Sequence, residues 1–200
     1  MNLVGIVGTN SERSTNRKLL RFMAEHFAPQ AAIEVLEIKD LPAFDEPENK
    51  TAPAAVTAFS KKIAAADGVI IATPEYNHTI PAPLASALEW IAYTSRVLVN
   101  KPVMIVGCSL GALGTSRAQA HLRQILDAPE LKARVMPGTE FFLGHSEHVL
   151  DGDFNLNNPE KVAELEEHFT EFQDFVTVTN QIVKQADTDR KKAFVWEAGE

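Results

Sequence analysis

Short apolar runs alternate with helical periodicity along the whole chain. Residues 2–8, 33–38, 68–73 and 102–108 form such runs, and a fifth combines Val135 with residues 141–143 around Pro137-Gly138. Runs of this length bounded by turn residues are typical of strands, and the longer stretches between them have the three- and four-residue spacing of a helix. Five strand-helix units predict an α/β fold with a doubly wound parallel sheet and right-handed crossovers.

The helical stretches each show one apolar face. The stripes are Leu19, Leu20, Met23 and Phe27; Val56, Phe59 and Ile63; Leu84, Leu88 and Ile91; Ala118, Leu122, Ile125 and Leu126; and Val162, Leu165, Phe169, Phe172 and Val176. Ser14 or Thr15 is suited to cap the first helix, and Asn158 followed by Pro159 to begin the last. Residues 33–38 alternate apolar and acidic side chains, which indicates an edge or half-covered strand.

A single domain is predicted for residues 1–186, because no repeat, low-complexity segment or composition change divides them. Residues 187–200 form a charged tail without clear periodicity. Its apolar residues Phe194, Val195 and Trp196 suit an arm that docks on a neighbouring subunit, and a disordered end explains the tail equally well.

Charge and cysteine content narrow the class of protein. The formal net charge of −8 argues against nucleic acid and anionic membranes as general partners. The one cysteine, Cys108, allows no internal disulfide and suits a reducing compartment. The first residues resemble a strand and not a signal peptide, and no apolar run is long enough to span a bilayer. We expect a cytoplasmic protein.

Chemistry-bearing residues concentrate in three loops that follow predicted strands. The first loop, 8–16, has hydroxyls at Thr9, Ser11, Ser14 and Thr15 around a helix start, where main-chain N–H groups and the helix dipole suit a phosphate. An ordinary Ser/Thr-capped turn explains it as well. The loop contains neither a Walker A motif nor the dinucleotide G-x-G-x-x-G.

The second loop, 74–79, places a proline, a carboxylate, an aromatic ring, an amide and a hydroxyl after the central strand. Pro81 and Pro83 restrict the chain just beyond it. The third loop, 108–117, contains Gly111 and Gly114, which let a backbone approach a flat ligand. Each loop alone could be a structural turn. Together they would lie at one edge of the sheet, where such folds bind ligands, and they favour a site for a planar cofactor.

The chain resembles the NADPH-dependent FMN reductase family, which has a flavodoxin-like fold and includes quinone, azo-dye and chromate reductases. The resemblance is most specific at Pro74-Glu75-Tyr76-Asn77 with Pro81 and Glu89-Trp90, close to the family pattern P-E-Y-N-x-S-x-P…D-W. Further matches are at Ser109, Gly111, Gly114, Arg117, Ala118 and Leu122, and at Gly8, Thr9, Ser14 and Asn16. The chain departs from the family pattern at Ser11, where arginine is expected while an arginine stands at 13, and at Thr115, which replaces a glycine.

The resemblance implies a flavodoxin-like five-stranded sheet of order 2-1-3-4-5 and bound FMN. Its phosphate would be held by Thr9, Ser11, Arg13, Ser14 and Asn16, and its ring system by Pro74, Glu75, Tyr76, Asn77, Ser109, Gly111 and Gly114. It also implies hydride transfer from NADPH or NADH through FMN to a quinone, azo compound, flavin or similar acceptor. A homodimer or homotetramer is expected, with residues 90–97 as the candidate contact.

Other functions and roles remain open from the sequence. An electron carrier or a flavin-binding regulatory protein would use the same loops without NAD(P)H turnover. No catalytic acid, base or nucleophile is identified, since the flavin performs the chemistry. Cys108 is either structural or redox-active. Residues His145, His148, Asp151 and Asp153 form either a metal site or a solvated loop. Arg117 and His121 share a helix face and either meet the NADPH phosphate or belong to a surface ion pair.

Overall fold

The computed structural model describes residues 1–138 and 140–185. The strands are β1 (Asn2–Val7), β2 (Ala32–Glu37), β3 (Gly68–Ala72), β4 (Pro102–Cys108), β5 (Arg134–Val135) and β6 (Phe141–Leu143). The helices are α1 (Thr15–His26), α2 (Ala54–Ala65), α3 (Ala82–Trp90), α4 (Ser116–Leu126), α5 (Ser146–Val149) and α6 (Pro159–Gln185), and a π-helix (Ile91–Ser95) extends α3. The predicted tail, 187–200, lies outside the described residues. No helix within the described ranges is long and apolar enough to cross a bilayer.

All strand pairs in the sheet are parallel. Their order is β2-β1-β3-β4-β5, with β6 also paired to β4, which confirms the predicted doubly wound topology. Strand β2 lies at an edge and is only partly buried, as its alternating sequence predicted. The inner strands β3 and β4 are buried along their entire length.

Helices cover both faces of the sheet. Along β3, Ile70 and Ala72 belong to a core shared with α1 and α6, whereas Val69 and Ile71 face α2, α3 and α4. This alternation is the two-residue period of a strand buried on both sides. The helical stripes predicted from the sequence supply both cores.

The last strand is divided, as its sequence indicated. Strand β5 pairs with the start of β4 and β6 with its end, while Pro137 and Gly138 lead the chain away between them. Gly138 has φ +76°, a conformation that glycine adopts without strain. The predicted start of α6 is confirmed, because the main-chain N–H of Lys161 donates to Asn158 Oδ1 at 3.1 Å.

Candidate functional site

The three loops leave the sheet from β1, β3 and β4, which are adjacent strands. The main-chain N–H of Gly8 donates to the carbonyl of Ala72 at 2.8 Å, and that of Thr73 to the carbonyl of Val106 at 3.1 Å. These bonds continue the strand pairing into the loops. The predicted convergence of the loops at the carboxyl edge of the sheet is therefore confirmed.

The first loop presents the start of α1. Ser14 is the N-cap residue, because its Oγ accepts from the main-chain N–H of Arg17 at 3.1 Å. The first turn of α1 contains no acidic residue. Thr9 is buried, and its Oγ1 accepts from the N–H of Ser11 at 3.2 Å. The loop is thus wound tightly around a helix N-terminus whose positive dipole end favours an anion.

Arg17 shapes this loop, and the sequence interpretation did not include it. Its Nε and Nη2 donate to the Glu37 carboxylate at 2.6 and 2.8 Å, and its Nη1 donates to the carbonyl of Ser11 at 2.6 Å. The hydrogen bond to Glu37 raises the pKa of Arg17. The only feature of the sequence that pointed to Arg17 is its position three residues after the cap, on the buried side of α1.

The neighbouring charged residues of the first loop face solvent. Arg13 is exposed, so its side chain is available at the helix start. Glu12 is also exposed, and its carboxylate lies 3.6 Å from Lys39 Nζ. The negative charge of Glu12 is therefore partly balanced by Lys39, which would reduce its repulsion of a phosphate at the helix start.

Asn16 joins the first loop to the third. Its Nδ2 donates to the carbonyl of Cys108 at 2.9 Å, and its Oδ1 accepts from the N–H of the same residue at 3.0 Å. The buried amide thereby holds α1 against the end of β4. For Cys108 itself, burial raises the thiol pKa to about 12. A thiol that stays protonated at neutral pH is a poor nucleophile, which favours the structural alternative over the redox one.

The second loop ends in a tight turn. Tyr76 and Thr79 exchange both main-chain hydrogen bonds, at 3.0 and 3.1 Å, and Asn77 and His78 between them have φ of +52° and +65°. Two such residues define a type I′ turn, whose central N–H groups are not used by the turn itself. The phenol of Tyr76 lies 3.4 Å from Thr9 Oγ1, so the tip of this loop adjoins the first loop.

Glu75 binds helix α4. Its Oε1 accepts from Arg117 Nε at 2.6 Å, and its Oε2 accepts from the main-chain N–H groups of Arg117 and Ala118 at 3.1 and 3.3 Å. Thr115 occupies the N-cap position with φ +70° and makes no side-chain cap bond, because the Glu75 carboxylate already fills that place.

This contact favours the surface ion pair for Arg117, whose Nε and Nη2 both bind the Glu75 carboxylate. His121, for which the sequence left the same two alternatives, forms a hydrogen bond through its Nδ1 with the hydroxyl of Thr79. Both residues therefore tie α4 to the second loop. The carboxylate of Glu75 likewise faces α4, so the part of Glu75 left for a ligand is its main chain.

Ser109 fixes the shape of the third loop through two hydrogen bonds to its main chain. Its Oγ donates to the carbonyl of Gly111 at 2.9 Å and accepts from the N–H of Gly114 at 3.1 Å. A Cβ at Gly114, which has φ +55°, would lie 2.7 Å from main-chain atoms of Phe142 and Leu143. A Cβ at Gly111 would meet no heavy atom within 4 Å. Gly114 is thus required by packing, whereas Gly111 borders open space.

Large apolar side chains are exposed at this same edge. Tyr76 is 48% exposed, Leu110 60% and Leu113 53%. All three belong to the loops that converge at this edge, and the phenol of Tyr76 adjoins Thr9 in the first loop. An apolar surface and a polar helix start therefore share the edge. That combination fits the phosphate and the ring system of FMN. Of the predicted cofactor residues, Thr9, Ser14, Asn16, Glu75 and Ser109 have side chains engaged in shaping the loops, and direct contact with FMN stays a prediction for all of them.

No metal centre is found in the described part of the chain, where no group of three or more His, Cys, Asp or Glu side chains is suitably placed. In the loop suggested as an alternative site, the Asp151 carboxylate accepts from the side-chain amides of Asn155 and Asn157. These bonds, led by that of Asn155, lower the pKa of Asp151 to about 2. The side-chain amides of Asn155 and Asn157 therefore already bind the Asp151 carboxylate, which a metal ion would require as a ligand.

Comparison with known proteins identifies the family. The model of a family described as NADPH-dependent FMN reductase matches residues 1–148. The chain belongs to this FMN reductase family. A solved structure with the same fold is the flavoenzyme NAD(P)H:acceptor oxidoreductase FerB from Paracoccus denitrificans, with a TM-score of 0.80 and 24% identity over 89% of this chain and 98% of that one.

Several relatives are similar over most of their length. The chain is 55% identical to the NADH:(hydroxy)cinnamate reductase subunit CrdA of Vibrio ruber over 100% of both chains. It is 43% identical to NADH-dependent flavin reductase subunit 2 of Lactobacillus johnsonii, over 88% of this chain and 97% of the relative. A quinone reductase of Escherichia coli is 34% identical, over 76% of this chain and 81% of the relative. The FMN reductase described here is thus an FMN-dependent NAD(P)H oxidoreductase.

Proposed function

We propose that this chain is the NADH-oxidising subunit of a multisubunit reductase and delivers electrons to a flat, conjugated acceptor. The supporting observation is the three-loop edge, where an anion-binding helix start adjoins the exposed side chains of Tyr76, Leu110 and Leu113. When bound, FMN supplies the two-electron redox chemistry. The residues of the chain bind and orient it and exclude water from one side.

The first loop supplies the phosphate end of the site. Main-chain N–H groups at the start of α1, the hydroxyls of Ser11 and Ser14, and the exposed guanidinium of Arg13 are the available donors. Arg17 Nη1 donates to the carbonyl of Ser11, so this acceptor already has a partner within the protein. An anion therefore meets donors at this place.

The second and third loops supply the ring end. The N–H groups of Asn77 and His78 at the turn tip suit the carbonyl oxygens of a flavin, and the open space at Gly111 accommodates a flat ring. Leu110 and Leu113 offer an apolar surface to a stacked ligand, which buries area at little polar cost. An acceptor that stacks there must be planar and largely apolar, as quinones and cinnamates are.

The names of two relatives support a choice of donor and of assembly. The relatives at 55% and 43% identity are both named as NADH-dependent and as subunits. We therefore favour NADH over NADPH and an assembly that includes a second, different chain, in place of the homodimer or homotetramer expected from the sequence. A pyridine-nucleotide donor and a single free thiol both suit the cytoplasm.

The test is anaerobic reduction of the FMN-loaded protein. We expect the visible absorbance to bleach within seconds on addition of NADH, more slowly with NADPH, and to return when a benzoquinone is added. Flavin that binds but resists both nucleotides would identify an electron carrier or a regulatory protein instead. Return of colour with cinnamate only after a second subunit is added would place the acceptor site outside this chain.

A matched pair of variants separates binding from folding. Arg13→Gln removes the exposed guanidinium at the start of α1, and Arg21→Gln removes one from a position further along the same helix. We expect the first to weaken FMN binding by about tenfold, which corresponds to about 1.4 kcal/mol, and the second to leave it unchanged. Equal affinities in the two variants would remove Arg13 from the phosphate site.

A further inference from the structure

A cavity of about 320 Å³ lies beside the first loop and involves none of the residues predicted to hold FMN. It is lined by Asn10 of that loop, by Ile38 and residues 41–44, which follow β2, and by one face of α3. Because β1 and β2 are adjacent parallel strands, their carboxyl ends share the edge at which the FMN site lies. The volume is that of a pocket for a small organic group.

The wall formed by residues 41–44 is fixed in place by α3. Trp90 Nε1 donates to the carbonyl of Pro42 at 2.9 Å, and the main-chain N–H of Phe44 donates to Ser86 Oγ at 2.8 Å. The rings of Phe44 and Trp90 pack nearly perpendicular to each other, with centroids 5.1 Å apart. The cavity is therefore formed before a ligand enters it, as is usual for small-molecule sites.

Apolar walls and two polar side chains line the cavity together. Pro42, Phe44 and Pro83 supply apolar surface, and Asn10 and Glu89 are exposed. In the described part of the chain, no hydrogen bond or ion pair joins the side chain of Asn10 or Glu89 to another residue. An amide and a carboxylate beside an aromatic ring are thus left for a ligand.

Building on the proposed oxidation of NADH, on which this inference rests, we propose that the cavity binds the adenosine half of NADH. The purine stacks on the ring of Phe44, and its amino group and neighbouring ring nitrogen match the acceptor and donor of the Asn10 amide. The Glu89 carboxylate accepts hydrogen bonds from the ribose hydroxyls, as acidic residues do in other dinucleotide sites.

The carboxylate of Glu89 also favours NADH over NADPH. Among the described residues that line the cavity, Glu89 is the only one with an ionisable side chain. NADPH has a phosphate in place of the ribose 2′-hydroxyl, and a carboxylate repels that phosphate where no lysine or arginine balances it. The charge of the cavity therefore agrees with the proposed donor.

The separation between the cavity and the third loop suits a dinucleotide. The cavity lies at β1 and β2, whereas the third loop follows β4, two strands from β1 and three from β2. Neighbouring strands are about 4.8 Å apart, so the separation along the sheet edge is about 10–14 Å. An extended dinucleotide joins two places at such a distance, with its adenine at one and its nicotinamide at the other.

Calorimetric titration of the FMN-loaded protein with ADP-ribose tests the site. ADP-ribose contains the adenosine half of NADH without the nicotinamide, so its binding does not depend on reduction of the flavin. We expect ADP-ribose to bind about tenfold more tightly than 2′-phospho-ADP-ribose. Glu89→Gln removes the charge and keeps the hydrogen-bonding atoms, so this difference should largely disappear.

Glu48→Gln is the matched control for Glu89→Gln. Glu48 is an exposed residue of the same segment after β2 and does not line the cavity. The control should keep the difference between the two probes at about tenfold. Equal effects of the two substitutions, or a wild type that does not bind ADP-ribose, would overturn the proposal.

A second donor separates the adenosine half from the acceptor. Reduced nicotinamide mononucleotide lacks the adenosine, and Ala82→Phe adds a ring at an exposed residue of the cavity wall. We expect this variant to raise the KM for NADH several-fold relative to that for the mononucleotide. A rise in the KM for the quinone alone would assign the cavity to the acceptor and overturn the proposal. ADP-ribose binding by a protein whose flavin NADH does not bleach would contradict the proposed function and support the adenosine site.

Discussion

The carboxylate of Glu75 closes the start of helix α4 and pairs with Arg117 in the first turn of that helix. Glu75 belongs to the loop after β3, whereas Arg117 lies in the first turn of α4, directly after the loop that follows β4. The pair therefore fixes the distance between two of the three loops that form the site. The Glu75 side chain is 9% exposed, so the bond is shielded from salt and water on the glutamate side.

Replacing Glu75 with glutamine should loosen the site. The variant keeps the shape but loses the negative charge at the helix start, which we expect to cost about 1–2 kcal/mol of unfolding free energy. FMN affinity should fall by about tenfold, because the second and third loops are no longer held at a fixed distance. Urea unfolding and FMN titration measure the two effects.

Glu34→Gln is the matched control for Glu75→Gln. Glu34 pairs with Lys62 at 2.6 Å, and both side chains of that pair are about half exposed. Exposed pairs contribute about 0–1 kcal/mol, so the control should scarcely change stability and should not change FMN affinity. Similar losses in both variants would show that Glu75 acts only as a surface charge.

The sequence predicted the sheet and the site edge because both depend on local patterns. Apolar runs and helical spacing identify the strands and helices, and the carboxyl ends of adjacent parallel strands must share one edge. Even the division of the last strand was visible as Pro137-Gly138. None of these inferences required knowing which side chains touch.

The contacts within the site could not be predicted in this way. Asn16 and Cys108 are 92 residues apart, and Glu75 and Arg117 are 42 apart, so their pairing depends on strand register and loop shape. The resemblance to the FMN reductase family assigned Asn16 and Glu75 to ligand contact, and their partners within the protein could not be identified from the sequence. Arg17 was missed for the same reason. It lies in α1, whereas its partner Glu37 is the last residue of β2, 20 residues later in the chain.

Removing the Asn16 amide should destabilise the fold strongly. Asn16→Ala leaves both the N–H and the carbonyl of buried Cys108 without their partner, and each unsatisfied group costs about 1–3 kcal/mol. We expect a total loss of about 2–4 kcal/mol in urea unfolding. Asn49→Ala, at an exposed turn where Oδ1 accepts from the N–H of Thr51, should lose less than about 1 kcal/mol. If Asn16→Ala lowers the free energy of unfolding no more than Asn49→Ala does, the hydrogen bonds from Asn16 to Cys108 do not stabilise the fold as proposed.

Alanine substitutions at the two loop glycines should separate packing from ligand contact. Gly114→Ala forces a Cβ against the main chain of Phe142 and Leu143 in a left-handed conformation, which we expect to cost about 2–4 kcal/mol. Gly111→Ala meets open space, so stability should be unchanged while FMN binding weakens. Thermal unfolding with and without FMN measures both.

The outcome for Gly111 is informative in either direction. Unchanged FMN affinity in Gly111→Ala would place the ring away from this part of the third loop. An unfolding temperature lowered as far as that of Gly114→Ala would show that the loop packs more tightly than the structure indicates.

The buried thiol of Cys108 should make stability fall at high pH. Its pKa is about 12 in the folded protein against 9.0 for an unperturbed thiol, so between these values the unfolded chain releases a proton that the folded chain keeps. Proton release then favours unfolding, by about 1.4 kcal/mol per pH unit for this group. Urea unfolding of the wild type and Cys108→Ala from pH 8 to 10.5 measures the difference in slope. Below pH 9 the two slopes should agree. Parallel curves above pH 9 would mean that the thiol titrates normally and is open to solvent.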